Sequence, residues 1–313
     1  MDNLLMDNLT KQSFNYPLSI DPVILPELTE HHLTAAILRL DKIHPVISGN
    51  KWFKLKNHLH AAKKKSSQHI ITFGGAWSNH IIATAFAAQQ VGLRAIGFIR
   101  GEQPAILSDT LRAAAGYGMH LEFISRESYR AKDTPAFLEQ LAIKWPGAWI
   151  IPEGGAGSLG VKGSEEILQT VDKSQYSHIL CAVGTGTMYQ GLVNASAPGQ
   201  IVIGVPVLKG MNSLTQMNSL TQWPPLDKLP ECRLLPDYHF GGYARYTPEL
   251  LDFMNRWYRT TGIPSDFVYT GKLFYAVLDS VRKDLFPPGA RLLLIHSGGL
   301  QGNRSLSPGI LDF

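Results

Sequence analysis

The chain predicts an α/β protein of two lobes, each a parallel sheet flanked by helices, and three observations carry that expectation. From His69 onward, short β-branched runs are each followed by an amphipathic stretch of helix length, the pattern of βαβ units. Glycine-rich turns recur where those strands should end. Finally, 313 residues with 44 % apolar content leave room for a large core or two smaller ones and little for disorder.

Taken in order, the elements support this reading. The first fifty residues are expected to fold back onto the C-terminal half. The stretch SGNKWFKL, residues 48–55, reads as a turn opening a helix, because Gly49-Asn50 is a turn pair. Strands are expected at HIITF, RAIGFI and HLEFI, alternating with helices over SNHIIATAFAAQQVG, SDTLRAAAGYG and TPAFLEQLAIKW. AWIIPEGG reads as a further strand and SLGVKGSEEILQTV as the next helix; HILCAV, a GTGT turn and another helix follow, then the strand IVIGVPV. A polar segment repeats MNSLTQ at residues 211–216 and 217–222, which suggests a lengthened loop rather than a repeat fold. After it come RLLPDYHFGGYARY, the helix TPELLDFMNRWYRTTG, the segment DFVYTGKLFYAVLDSVRKDLF and a last strand, RLLLIHSGG. Residues 52–163 are assigned to the smaller lobe, and residues 1–51 plus 164–313 to the larger.

Composition narrows the function classes. The net charge of +4 is modest, and its one basic run, Lys63-Lys64-Lys65, reads as a solvated helix end without interleaved aromatics, so nucleic acid is not expected as a partner. Two cysteines, Cys181 and Cys232, have no pairing or metal spacing, which points to a reducing compartment, the cytoplasm. The N-terminal MDNLLMDNLTKQSF carries acidic residues and no long apolar run, so neither a signal peptide nor a membrane anchor is expected.

Chemistry is sought at the strand ends, where ligands of such folds bind. Lys51 follows a turn and precedes Trp52 and Phe53. An amine entering an apolar pocket loses proton affinity and becomes nucleophilic, although a helix-end lysine reaching water is the plainer alternative. Glycine turns stand at residues 74–80 (GGAWSNH), 153–160 (EGGAGSLG), 184–187 (GTGT) and 296–299 (HSGG). The amides of Gly184, Thr185, Gly186 and Thr187 suit a phosphate. A dinucleotide fingerprint is absent, since the third glycine, Gly191, comes too late, and no Walker A lysine occurs. His31-His32 and His58-x-His60 lack a paired ligand set, so no metal is expected; no G-x-S-x-G elbow marks a serine hydrolase.

Lys51 within GNKWFKL, Ser78-Asn79-His80, EGG, GTGT, GGYARY, VYTGK and a closing HSGG, in that order, resemble the pyridoxal-phosphate enzymes of the 1-aminocyclopropane-1-carboxylate (ACC) deaminase and D-cysteine desulfhydrase family. The resemblance runs from about Ser48 to Gly299. It implies the tryptophan synthase β-like fold (fold type II), with the larger lobe binding pyridoxal phosphate, and a homodimer as the common assembly. It implies that Lys51 holds the cofactor as a Schiff base and serves as base at the substrate α-carbon. Lys54 and Gly184 to Thr187 would hold the phosphate, and Asn79 the phenolic oxygen. Ser78, Asn79 and His80 would receive the carboxylate of a small amino acid at a helix N-terminus. Tyr243 and Tyr269 would line the substrate side, core packing being the alternative for both.

Departures from the family pattern set the expected reaction. Thr270 stands where the deaminases carry a glutamate facing the pyridine nitrogen. A neutral hydrogen bond there suits β-elimination of a thiol better than opening a cyclopropane ring. Thr270, and His80 where the deaminases tend to have glutamine, favour the desulfhydrases. The expected reaction is therefore D-cysteine to pyruvate, hydrogen sulfide and ammonia, with ACC deamination to 2-oxobutyrate as the alternative within the family and a weakly catalytic cofactor-binding protein as the alternative outside it. Trp77, Ile81-Ile82-Ala83 and Trp52-Phe53 replace more polar residues of the family, which suggests a more apolar pocket.

Overall fold

The computed structural model describes residues 17–211, 213 and 231–313. The MDNL repeat and all but Met211 and Ser213 of the MNSLTQ duplication lie outside the described residues.

Two sheets organise the chain. The larger takes β1 (Ile20–Val23), β2 (Thr34–Arg39), β7 (His178–Val183), β8 (Ile201–Pro206), β9 (Cys232–Leu234) and β10 (Arg291–His296) in the order β1-β2-β10-β7-β8-β9. Only the β1–β2 pair is antiparallel, Ile20 facing Leu38, and the rest are parallel. The smaller sheet is parallel throughout, with β3 (His69–Gly74), β4 (Arg94–Arg100), β5 (His120–Ile124) and β6 (Trp149–Ile150) in the order β5-β4-β3-β6. Its strands come from residues 69–150, while the larger sheet draws on 20–39 and 178–296.

Ten helices among the described residues connect them: α1 (Pro26–Glu30), α2 (Lys51–Lys64), α3 (Asn79–Gln90), α4 (Asp109–Gly116), α5 (Arg126–Arg130), α6 (Pro135–Lys144), α7 (Ser158–Glu165), α8 (Thr187–Ala195), α9 (Pro248–Thr261) and α10 (Thr270–Arg282). Several start where a hydroxyl caps the first turn: Ser78, Ser108, Ser125, Thr134 and Thr247 each accept from the amide three residues on. Lys63 and Lys64 occupy the last turn of α2, where a cation suits the helix dipole.

The alternation within strands decides which core each side chain joins. Ile179, Cys181 and Val183 of β7 face the core between the sheets, with Trp52, Phe53, Ile70 and Ile81. Leu180 and Ala182 face the outer core beneath α9 and α10. Ile71 and Phe73 of β3 close a third, small core with Ile96, Phe98, Tyr129 and Leu141. Three expected elements are shorter than the sequence suggests. The AWIIPEGG strand stops at Ile150 and becomes a 3-10 turn over Glu153–Gly155, with Gly154 left-handed at φ 70°. The helix expected over residues 158–171 tightens to a 3-10 turn at Glu166. In the segment beginning at Asp266, helix starts only at Thr270.

Candidate active site

The site lies at the carboxyl ends of both sheets, where the glycine turns converge. Lys51 is aimed by the turn before it. Gly49 has φ +69°, and a Cβ there would stand 1.9 Å from the Ser297 carbonyl oxygen, so only glycine fits. The Gly49 amide donates to Leu40 O at 2.9 Å and the Asn50 amide to Ser297 O at 3.1 Å, which locks the turn onto the HSGG turn after β10. Lys51 then opens α2, its Nζ donating to Asn50 Oδ1 at 2.6 Å. Burial lowers its amine from 10.5 to about 8, with the Asp266 carboxylate opposing the drop.

No acidic residue occupies the first turn of α2. Two lysines there add to the positive end of the helix dipole, an arrangement that suits a bound anion and not the isolated helix. Lys54 is 5 % exposed, and burial and then the charge of Lys51 hold its amine well below the usual lysine range.

Gly184 to Thr187 links β7 to α8, with Gly186 left-handed at φ 81° and Thr185 and Thr187 hydroxyls 2.9 Å apart. The first amides of α8 have no intrahelical acceptor and open onto this loop. Close approaches show what else converges here. A Cβ at Gly155 would meet Lys54 Cβ at 3.0 Å, one at Gly154 the Thr185 methyl at 3.2 Å, and one at Gly184 the Tyr269 ring at 3.2 Å.

Ser78 caps α3, its Oγ accepting from the Ile81 amide at 3.4 Å. Asn79 Oδ1 is buried with no hydrogen-bond partner among the described residues. A Cβ at Gly299 would touch both Asn79 Nδ2, at 3.3 Å, and Asp266 Oδ1, at 3.2 Å, so Asn79 and Asp266 face each other across the HSGG turn.

His80 stands in the first turn of α3, with its ring directed to β3. It is 2 % exposed and its Nε2 lies 2.8 Å from Thr72 Oγ1, whose own proton goes to Ile151 O at 2.9 Å. Nε2 therefore donates, and burial followed by the charges of Lys51 and Lys54 keeps the ring neutral. The Nε2 proton of this ring is committed to Thr72 of β3. What His80 offers the pocket is its main-chain N–H, one of the free amides opening α3. Trp52 and Phe53, 2 % and 1 % exposed, belong to the core between the sheets, which accounts for both.

Tyr269 stands just before α10 and Tyr243 on the loop before α9, their ring centroids 6.2 Å apart and tilted 71°. The two phenols also act on each other electrostatically. Tyr243 is 44 % exposed, at the mouth of the site, and Tyr269 lies deeper. Burial, then Tyr243, Asp266 and Glu153, hold the Tyr269 hydroxyl far above the usual phenol range, which keeps it neutral with an O–H to offer as a hydrogen bond.

Behind them sits a carboxylate that sequence reasoning missed. Asp266 is fully buried and accepts from the Val268, Tyr269 and Thr270 amides at 3.0, 2.8 and 2.9 Å and from Thr270 Oγ1 at 2.8 Å. Thr270 Oγ1 also accepts from the Asp266 amide at 2.8 Å. A hydroxyl has one proton and two lone pairs, so Thr270 has only an acceptor left for a third partner, with a carboxylate behind it. The surroundings of Thr270 are thus less neutral than its side chain alone suggests.

Also missed were Asn50, Lys272, and the group of Tyr129, Lys132 and Glu153 near the tyrosine pair. Lys132 Nζ lies 3.3 Å from Glu153 Oε2 and 5.1 Å from the Tyr129 ring centroid. Asp266 had a local signal, an aspartate four residues before a helix-opening threonine, the spacing of a side chain that satisfies the amides of a turn. Asn50, Glu153 and Lys272 lie inside the quoted GNKWFKL, EGG and VYTGK motifs but were given no role there, and Tyr129 and Lys132 had no signal.

The arrangement fits pyridoxal phosphate on its own evidence. A half-buried amine of lowered proton affinity, an orphaned amide oxygen at Asn79 and an anion cradle built from Lys54 and the opening of α8 come together here. Lys51 could take an aldehyde, the cradle a phosphate, and Asn79 a phenolic oxygen. Among the described residues no group of three or more His, Cys, Asp or Glu side chains could hold a metal ion, and no helix is long and apolar enough to cross a membrane.

Comparisons with known proteins agree with this chemistry. A family model described as "Pyridoxal-phosphate dependent enzyme" matches residues 17–298. A Pyrococcus abyssi protein described as "Putative 1-aminocyclopropane-1-carboxylate deaminase" is 32 % identical over 276 residues, 82 % of this chain and 81 % of that one. The Arabidopsis thaliana "Bifunctional D-cysteine desulfhydrase/1-aminocyclopropane-1-carboxylate deaminase, mitochondrial" is 30 % identical over 283 residues, 82 % of this chain and 70 % of that one. The crystal structure of an ACC deaminase homologue superposes with a TM-score of 0.75 at 26 % identity, covering 96 % of this chain and 95 % of that one. With its two parallel sheets and its lysine and phosphate cradle at their carboxyl ends, the chain belongs to the pyridoxal-phosphate dependent enzyme family, as a fold type II enzyme of the ACC deaminase-like kind.

Proposed function

We propose that the protein catalyses α,β-elimination on a small amino acid, with D-cysteine as substrate and pyruvate, hydrogen sulfide and ammonia as products. The observation that carries the choice within the family is Thr270, a hydroxyl at the opening of α10 where the deaminases have a carboxylate. When bound, pyridoxal phosphate supplies the electron-withdrawing ring that acidifies the substrate α-carbon. In this reading Lys51 holds the cofactor and, once displaced by the substrate amine, removes the α-proton through Nζ. Lys54 and the 184–187 loop bind the phosphate, and Asn79 orients the ring through its phenolic oxygen. The amides of Asn79 and His80 with the Ser78 hydroxyl bind the substrate carboxylate. The Tyr269 hydroxyl, a neutral donor, hydrogen-bonds the departing sulfur, with Tyr243 completing that wall.

A second reading, ACC deamination to 2-oxobutyrate, is favoured by one observation: the Asp266 carboxylate lies a single hydrogen bond behind Thr270, at 2.8 Å. Offering D-cysteine, L-cysteine and ACC separately to the cofactor-loaded protein and identifying the oxoacid tests both. Pyruvate from D-cysteine alone supports the first reading, and oxobutyrate from ACC supports the second. No oxoacid, with the cofactor bound and its spectrum unresponsive to amino acids, would indicate a binding protein instead. Thr270→Glu is expected to raise ACC turnover about tenfold or more and to lower D-cysteine turnover; unchanged ratios would remove Thr270 as the deciding residue.

A further inference from the structure

Lys272 is the third residue of α10 and fully buried. Neither position is one that helix energetics favours. A cation in the first turn opposes the helix dipole, and an ammonium taken out of water is costly unless hydrogen-bonded. The bonds it makes are both to one loop: Nζ donates to His239 O and to Gly242 O, each at 2.8 Å. Among the described residues no carboxylate lies within ion-pair distance of Nζ, and Asp266 acts on it only at longer range.

That loop is the one carrying Tyr243, and its backbone is strained. Phe240 and Ala244 both sit in the left-handed region, at φ 49° and 53°, flanking Gly241 and Gly242 at φ 89° and 114°. A non-glycine residue there costs roughly 1 kcal/mol or more, so something must hold the turn. Its two ends are pinned to α10 and its approach: Tyr238 donates to Asp279 Oδ2 at 2.6 Å, Phe240 packs on Tyr275 at 4.9 Å, and Tyr246 packs on Phe267 at 5.3 Å. The middle, residues 241 and 243–246, is exposed. Lys272 reaches that middle from below, beside Tyr243, whose ring stands against Tyr269.

We propose that Lys272 is the positioning residue of Tyr243: its ammonium, bridging the His239 and Gly242 carbonyls, fixes the strained 239–244 turn so that the phenol stands against Tyr269 at the mouth of the site. The functional half of this rests on the reading above, in which Tyr243 borders the substrate. Lys272→Met keeps the length and apolar bulk of the side chain and removes its donors; Lys272→Gln keeps two N–H donors and is the conservative rescue, and it carries the same comparison should Lys272→Met not fold. Hydrogen exchange on the cofactor-loaded protein should show the amides of residues 239–247 exchanging about tenfold faster or more in Lys272→Met, with both sheets unchanged and Lys272→Gln in between. Unchanged exchange in the loop would overturn the proposal. In a double-mutant cycle with Tyr243→Phe, kcat should fall no further in the double variant than in the worse single one, because both changes disable the same phenol. Losses that multiply would show that Lys272 acts elsewhere and overturn its link to Tyr243. If Tyr243→Phe alone leaves turnover intact, the reading of Tyr243 fails, and the exchange result still decides whether Lys272 holds the loop.

Discussion

The first turn of α2 and the first turn of α10 each carry a buried lysine that the helix dipole does not favour, and in each burial brings the amine down to about 8. Asp266 opposes the drop in both. Their partners separate them. Lys51 meets one acceptor, the side-chain oxygen of Asn50 at 2.6 Å, and otherwise faces the space between the phosphate loop and the opening of α3. Lys272 meets two main-chain carbonyls at 2.8 Å, both belonging to a loop that covers it. In both amines burial is the largest cause of the lowered proton affinity. Whether the amine is available for chemistry depends on what it is bonded to and what space it faces.

The largest effect that would break or sharpen this contrast is the loss of Lys51. Lys51→Ala is expected to lower turnover by on the order of 10^4-fold and to abolish covalent capture of the cofactor, read by borohydride trapping and peptide mass analysis. Capture should survive Lys272→Met. Finding the trapped cofactor on the peptide containing Lys272 would reverse the two assignments. Next, Tyr269→Phe removes the donor at the start of α10 while leaving the lysine of α2 untouched. It should cost about 10^2-fold in kcat with the cofactor still bound, and an unchanged rate would return Tyr269 to a packing role.

The smallest effect concerns Asn50. The rate of cofactor capture should rise with pH up to about 8, where the Lys51 amine becomes neutral, and level off above it. Asn50 Oδ1 accepts from the amine and favours its charged form, so Asn50→Ala should move that midpoint lower, with a change in rate of only a few-fold. A midpoint that rises would show that the amide favours the neutral amine. The same shift has a stability consequence for the cofactor-free protein. Between about 8 and 10.5 the unfolded chain keeps a proton that the folded lysine has lost. The penalty for burying the ammonium is therefore present in full below about 8 and is relieved as pH rises toward 10.5.

Much of this was legible before any coordinates. The βαβ alternation and the glycine turns are local signals, and each corresponds to an element or a turn of the fold. Lys51 and the 184–187 loop could be singled out because turn chemistry and ligand chemistry leave marks within a few residues, whereas Lys54 and Asn79 were reached only through the family resemblance. Asn50, Lys272 and Glu153 could not, because their partners lie far along the chain: Met188 for Asn50, His239 and Gly242 for Lys272, and Lys132 for Glu153. His80 shows the same limit within a single motif. Its place at the opening of α3 follows from the sequence, but the direction of its ring depends on Thr72 of β3, across the sheet.

By itself the sequence determined the alternation of strands and helices, where the helices begin and which turns need glycine, since sterics, periodicity and capping act over a few residues. Only the tertiary structure decided which of the buried lysines faces an open site, that Thr270 has a carboxylate behind it, and that Nε2 of His80 is bonded to Thr72 of β3. Those outcomes depend on burial and on hydrogen-bond partners, and both exist only once distant segments have packed together.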